Sequence, residues 1–268
     1  MLSIKNCVMG ISLLIAAGLS SANASAATVV ATLQSVGTGD SITLHAIRPN
    51  GQTIAQQVLV GRSTFTRTGG TDTQTLVGSG VGNSFYAFCV EPFEDAALNA
   101  NYSFTMSPLG SAANSSISGG IGAAKSLQIS QLFGQFASNL GASMTQVQAS
   151  ALQVAVWEIV SELSTNPFNV LSGNTYFSTP ASSDFGDVMT LAQNYLNYVG
   201  TANTNSPQAQ NLQALTINGN QDFLVQTVGI TAPEPGTWMM MLIGFGLIGF
   251  AARKRREAGG TAGQLVRA

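Results

Sequence analysis

This chain is short of charge, of histidine and of cysteine, and each shortage removes a class of function. Aspartate, glutamate, lysine and arginine make up 8% of the residues, against about 25% in an ordinary globular domain. Between Ala27 and Ala232 the only basic residues are Arg48, Arg62, Arg67 and Lys125; these four stand against ten acidic residues, a net charge of −6. That balance argues against nucleic acid and anionic lipid as partners. His45 is the only histidine, so a histidine triad or a multi-histidine metal site lacks its parts. It is expected at the surface or hydrogen-bonded on a strand face shared with Thr43. No segment recurs at a fixed period, which excludes a solenoid. Glu91, Glu94 and Asp95 lack the donor spacing of a Ca²⁺ loop and read as a solvated acidic loop. Gly119 to Gly122 precede a helical stretch without a strand leading into them, and Lys125 is misplaced for a phosphate loop, so they read as a connector. No paired carboxylates and no nucleophile with a base beside it are recognisable. An enzyme is therefore not expected, nor is a metal or a cofactor.

What the chain has instead is uncharged polarity and two apolar ends. Gly, Ser, Thr, Asn and Gln are abundant, a surface suited to an extracellular matrix. At the N-terminus, Lys5 precedes an apolar run from Val8 to Leu19, and Ser21-Ala22-Asn23-Ala24-Ser25-Ala26 offers small-residue cleavage sites. Residues 1–26 therefore read as a secretory signal peptide. Near the C-terminus, Pro233-Glu234-Pro235-Gly236-Thr237-Trp238 leads into a run from Met239 to Ala252 that is apolar except for glycine. Arg253-Lys254-Arg255-Arg256 follows at once. Taken from Gly236, the run is just long enough to cross a thin bilayer, since about 20 residues at 1.5 Å rise span about 30 Å. The basic cluster keeps residues 258–268 on the cytoplasmic side and orients the large preceding portion outward. Pro233 and Pro235 hold the chain extended and accessible before the span.

Those three ordered parts resemble the PEP-CTERM sorting signal, also described as the ice-binding protein C-terminal domain. The resemblance covers residues 231–257. It implies recognition by the membrane protease exosortase near Pro233-Glu234-Pro235, and a Gram-negative bacterium that makes exopolysaccharide or biofilm. An apolar C-terminus alone also fits a plain single-pass anchor.

Removal of the signal peptide takes Cys7 with it and leaves Cys89 alone in an oxidising compartment, where an unpaired thiol is uncommon. The residues around it read as β. Val29–Leu33 and Ser41–Ile47 are short strands; Pro49-Asn50-Gly51 signals a hairpin, and Thr53–Arg67 reads as one return strand bent at Gly61. Ser84–Val90 alternates, with Phe85, Ala87 and Cys89 on one face and Tyr86, Phe88 and Val90 on the other. Tyr102–Met106 is a further strand. Helical spacing then appears over Ala123–Leu140, from Thr145 as N-cap to about Leu163, and over Asp184–Tyr198. Leu212–Ile217 and Asp222–Val228 read as a closing hairpin.

The second helix contains an anomaly. At about 100° per residue, Trp157, Val160, Ala149 and Val156 all fall within roughly 60° of Gln153, so this amide lies inside the apolar arc. Glu158, Glu162 and Gln148 fall on the opposite, solvent-facing side. A buried primary amide without partners costs about 1–3 kcal/mol, so Gln153 requires a hydrogen-bond network or chemical alteration. Phe88-Cys89-Val90 and Leu152-Gln153-Val154-Ala155-Val156-Trp157 resemble the two signature blocks of bacterial surface thioester (TQXA) domains. Leu152 stands where that family has threonine, and Val156 where it has isoleucine. The resemblance implies that the Cys89 sulfur is acylated by the Gln153 side chain with loss of ammonia. Phe88 and Trp157 would shelter the bond, and an amine on a partner would later attack it.

The expected architecture is α+β: an antiparallel β scaffold, sandwich or barrel-like, with a helical subdomain of about three helices, a signal peptide and one C-terminal transmembrane helix. Residues 27–230 form the extracellular domain. The expected function is that of an exosortase-processed surface or matrix protein, structural or adhesive. It attaches either covalently through Cys89 and Gln153 or noncovalently to exopolysaccharide. No nucleic acid partner is expected.

Overall fold

A computed structural model describes residues 26–229, apart from residues 38–39, 79, 81–82, 164 and 180–183. The expected signal peptide, the Pro-Glu-Pro element, the C-terminal span and its basic stop lie outside the described residues. Among the described residues, no helix is long and apolar enough to cross a membrane.

The strands are β1 (Thr28–Val36), β2 (Asp40–Ile47), β3 (Thr53–Val60), β4 (Ser63–Gly69), β5 (Ser84–Cys89), β6 (Asn101–Pro108), β7 (Thr175–Ser178), β8 (Leu212–Thr216) and β9 (Phe223–Gln226). The helices are α1 (Gly122–Phe136), α2 (Gln146–Ser161) and α3 (Phe185–Thr201). Six strands close into an antiparallel barrel in the order β1-β4-β5-β9-β8-β6, and β3-β2-β7 form a separate three-stranded sheet. The expected α+β scaffold is thus a small barrel with a side sheet and three helices.

Period-two alternation builds the barrel. Val29, Ala31 and Leu33 of β1 point inward and are fully buried, while their neighbours are half-exposed or exposed. Phe65, Phe85, Phe104 and Phe223 fill the interior, with Phe65 stacked on Phe85 at 5.3 Å and meeting Phe223 edge-on at 4.8 Å. Such aromatic pairs add to the stabilisation that their buried area supplies. A second core lies outside the barrel, between its wall, the side sheet and the helices. Ile42, Leu44 and Ala46 of β2 contribute to it, and so does α2.

Two expectations need correcting. Thr53–Arg67 is not one bent strand. The chain breaks at Gly61, whose φ of +142° suits glycine, so that β3 belongs to the side sheet and β4 to the barrel. Nor does α2 have a solvent face along most of its length, because every residue from Ala149 to Ser161 is buried. A helix enclosed on all sides offers no wet flank, so Glu158 and Glu162 are buried although Gln148, in the first turn, is exposed. Glu162 is fully used: Oε1 accepts from Leu163 N and Asn166 Nδ2, and Oε2 accepts from Asn174 N and Thr175 N. It ties the end of α2 to the start of β7. The expected N-cap at Thr145 is present as a capping box with Gln148.

Smaller differences follow from local chemistry. α1 stops at Phe136 and a 3₁₀ turn over Ser138–Gly141 replaces its expected last turn. α3 runs through Gly200 to Thr201. β7 has no counterpart in the sequence reading.

Candidate functional site

The barrel leaves one strand end half-paired, and the buried glutamine completes it. β4 pairs with β5 as far as Ser63 opposite Ala87. Two positions further on, the same register would set Gly61 against Cys89, but the chain has already turned away toward the side sheet. On its other side Cys89 opposes Phe223 of β9, and Val90 N donates to the Asp222 carbonyl. The N–H and C=O of Cys89 therefore face the place that β4 has vacated. Gln153 of α2 fills it: Cys89 N donates to Gln153 Oε1 at 2.9 Å, and Gln153 Nε2 donates to the Cys89 carbonyl at 2.8 Å. The amide side chain takes the part of a strand residue, and no buried partner is left over on either side. The partner demanded by an amide in an apolar arc is the backbone of the lone cysteine.

Cys89 is half-buried, a free thiol, and touches both hydrophobic cores. Burial pushes its thiol up to about 12, and Glu91 adds to the shift. The buried Ser63 hydroxyl offsets a part of this and meets no oxygen or nitrogen partner. A cavity of about 180 Å³ opens beside the thiol, lined also by Trp157 and Phe223. Trp157 is buried beneath it, its ring parallel to Phe177 at 6.5 Å, and its indole N–H has no hydrogen-bond partner.

The fold thus gathers Cys89, Gln153 and Trp157, and it does not gather Phe88 with them. Strand alternation puts Phe88 on the opposite face of β5, fully buried and edge-on to Phe133 at 5.2 Å. It packs α1 against the barrel wall and does not line the cavity.

The acidic loop is the other correction. Asp95 is exposed and Glu94 half-buried, but Glu91 is fully buried and neither of its carboxyl oxygens has a hydrogen-bond partner. Burial, with Asp222 and Glu94 nearby, pushes Glu91 up to about 9, so it holds its proton at neutral pH. The amides of Asp222 and of Glu91 itself pull it partly back without reaching hydrogen-bond geometry. Asp222, pushed up to about 6 by burial, accepts from Ala113 N at 2.7 Å and Ile217 N at 2.8 Å. Nothing in the sequence singled out Ser63 or Asp222; Glu91, expected in a solvated acidic loop, left a signal only as the acid immediately before Pro92 at the end of an aromatic strand. His45 is hydrogen-bonded as expected, Nε2 to Ser178 Oγ at 2.8 Å, and stacks on Tyr176 at 4.5 Å. Among the described residues, no three His, Cys, Asp or Glu side chains are grouped to hold a metal ion.

What this domain is attached to decides where it acts. Residues 231–256 match the PEP-CTERM protein-sorting motif. The chain carries an exosortase sorting signal. The PEP-CTERM motif implies an exported protein that exosortase recognises and processes at the membrane, consistent with a location in the cell envelope or at the surface. Pro233, Glu234, Pro235 and the basic residues Arg253, Lys254, Arg255 and Arg256 all fall within the matched motif. No curated protein and no solved structure matches the chain.

Proposed function

We propose that this PEP-CTERM protein acts outside the cell as a structural or adhesive component, and that its domain attaches covalently to a partner through a thioester between Cys89 and Gln153. One observation carries the reading: the Gln153 carboxamide is clamped to the Cys89 backbone by two hydrogen bonds, of 2.9 and 2.8 Å. Cys89 N–H donates to Gln153 Oε1, so the donor that polarises the carbonyl is already in place for the oxyanion that thiolate attack would create. In the step itself the Sγ–Cδ bond forms and the Cδ–Nε2 bond breaks. The thiol proton leaves with the nitrogen as ammonia. A primary amine would reverse the activation, forming an amide at Gln153 and returning Cys89 as a thiol. Each molecule reacts once, so the protein is an attachment device rather than a turnover catalyst.

A second reading has its own support. The thiol is pushed up to about 12 by burial, and thiolate is the attacking species. Both polar atoms of the Gln153 amide also have a partner without any bond to sulfur. On that reading the pair is a structural clasp, and the protein binds neutral matrix polysaccharide noncovalently through its uncharged polar surface.

Methylamine separates the two. On the thioester reading, incubating the exported protein with methylamine adds one methylamine and makes Cys89 reactive toward iodoacetamide. No mass gain, with Cys89 alkylated equally before and after treatment, overturns it in favour of the clasp.

A further inference from the structure

Among the described residues the side sheet ends on an open edge: β3 pairs only with β2, in a continuous eight-residue register without a bulge. Among the described residues, no backbone hydrogen bond joins Thr53–Leu59 to anything except β2. Free N–H and C=O groups along such an edge template a further strand, and edges that must stay unpaired are blunted by lysine, proline or a bulge. Thr53-Ile54-Ala55-Gln56-Gln57-Val58-Leu59-Val60 contains no lysine and no proline. Its link to the Pro92–Leu98 segment is one long hydrogen bond, Gln56 Nε2 to the Pro92 carbonyl at 3.3 Å.

Apolar surface and negative charge collect at the same edge. Leu59 is 45% exposed and Leu98 49% exposed, high values for leucine, and both line the cavity. Gln56, Gln57 and Val58 of β3 share that lining. Glu94 and Asp95 also line it, and among the described residues no lysine or arginine does.

We propose that the β3 edge receives an extended peptide of a partner protein. The peptide adds as a strand beside β3, sets an apolar side chain between Leu59 and Leu98, and turns a lysine or arginine toward Glu94 and Asp95. Strand addition draws its affinity from main-chain hydrogen bonds and its selectivity from alternate side chains. A neutral polysaccharide has neither an amide row for the edge nor a cation for the carboxylates. A second copy of this chain is no better, since its β3 carries no basic residue and pairing two such edges brings like charges together. The edge, the two leucines and the two carboxylates offer the same surface whether Cys89 is free or acylated.

Random peptides displayed on phage and selected on the exported protein are the probe. Enriched sequences are expected to alternate apolar and polar residues around a lysine or arginine. A synthetic peptide of that pattern should slow amide hydrogen exchange along Thr53–Leu59. Leu59→Lys and Leu98→Lys, both at exposed positions, should each weaken it by about tenfold or more. Glu94→Gln combined with Asp95→Asn should remove the preference for the basic residue while sparing the alternation. Enrichment of no peptide family, enrichment without a cation, or binding indifferent to the lysine substitutions overturns the proposal. Protection of the same amides by a neutral glucan or by dimerisation, in place of a peptide, overturns it equally.

Discussion

Gln153→Leu is expected to lower the stability of the domain by about 2–6 kcal/mol. Leucine fits the apolar arc but leaves the Cys89 N–H and C=O buried and unpaired, at about 1–3 kcal/mol each. Both groups now bond to the amide at 2.9 and 2.8 Å, and no strand stands by to replace it because Gly61 has taken the chain elsewhere. Where the bond to Cys89 has formed, the same substitution also removes a cross-link and the loss grows. Cys89→Ala retains both hydrogen bonds and should cost much less. The midpoint of urea unfolding reads the difference. A Gln153→Leu protein within about 0.5 kcal/mol of the parent, the range of a neutral surface change, would mean that the amide does not hold the strand end.

The second large effect is on pH dependence, through Glu91. The carboxyl titrates from its ordinary 4.5 in the unfolded chain and at about 9 in the fold. Across that window the folded protein keeps a proton that the unfolded chain has lost. Stability is therefore greatest below the unfolded value and falls as pH rises toward the folded one, by up to about 1.4 kcal/mol per unit for each such proton. Glu158 acts in the same direction over a narrower window: burial pushes it up to about 8, and only its Oε1 has a partner, Asn169 N at 2.8 Å. Glu91→Gln keeps the shape without the charge. It should raise stability at pH 8 and flatten the decline, while leaving stability near pH 4 almost unchanged. Thermal melts of the two proteins across this range give the test. A parent protein whose melting temperature rises between pH 5 and 8, or a variant with an unchanged slope, would contradict the burial of a neutral carboxyl beside Cys89.

What the sequence disclosed and what it withheld differ by the range of the interactions involved. Local alternation announced β5 and its two faces, because Phe85 and Ala87 serve one core and Phe88 and Val90 the other. Helical periodicity put Gln153 in an apolar arc, and the cost of a buried amide required a partner for it. Periodicity had no means of showing that the rest of α2 is enclosed too. Glu158 and Glu162 look solvated on a helical wheel, and only the packing of α3 and of the β7 connection around them reveals otherwise. The same holds for Glu91, which is buried near Asp222, far along the chain. β7 is four residues set among Asn, Ser and Gly, too short for a period to register, and exists because β2 offers it an edge. The division of Thr53–Gly69 between two sheets turns on a single torsion at Gly61. The PEP-CTERM motif stands apart from all of this, since composition and order alone carry it.

The most direct test is the intact mass of the exported, processed protein, denatured in the presence of iodoacetamide. A mass one ammonia below that of the processed sequence, with Cys89 unalkylated and the full mass restored in Cys89→Ala, is the predicted result. A full mass with Cys89 alkylated would contradict it and leave Gln153 as a clasp alone.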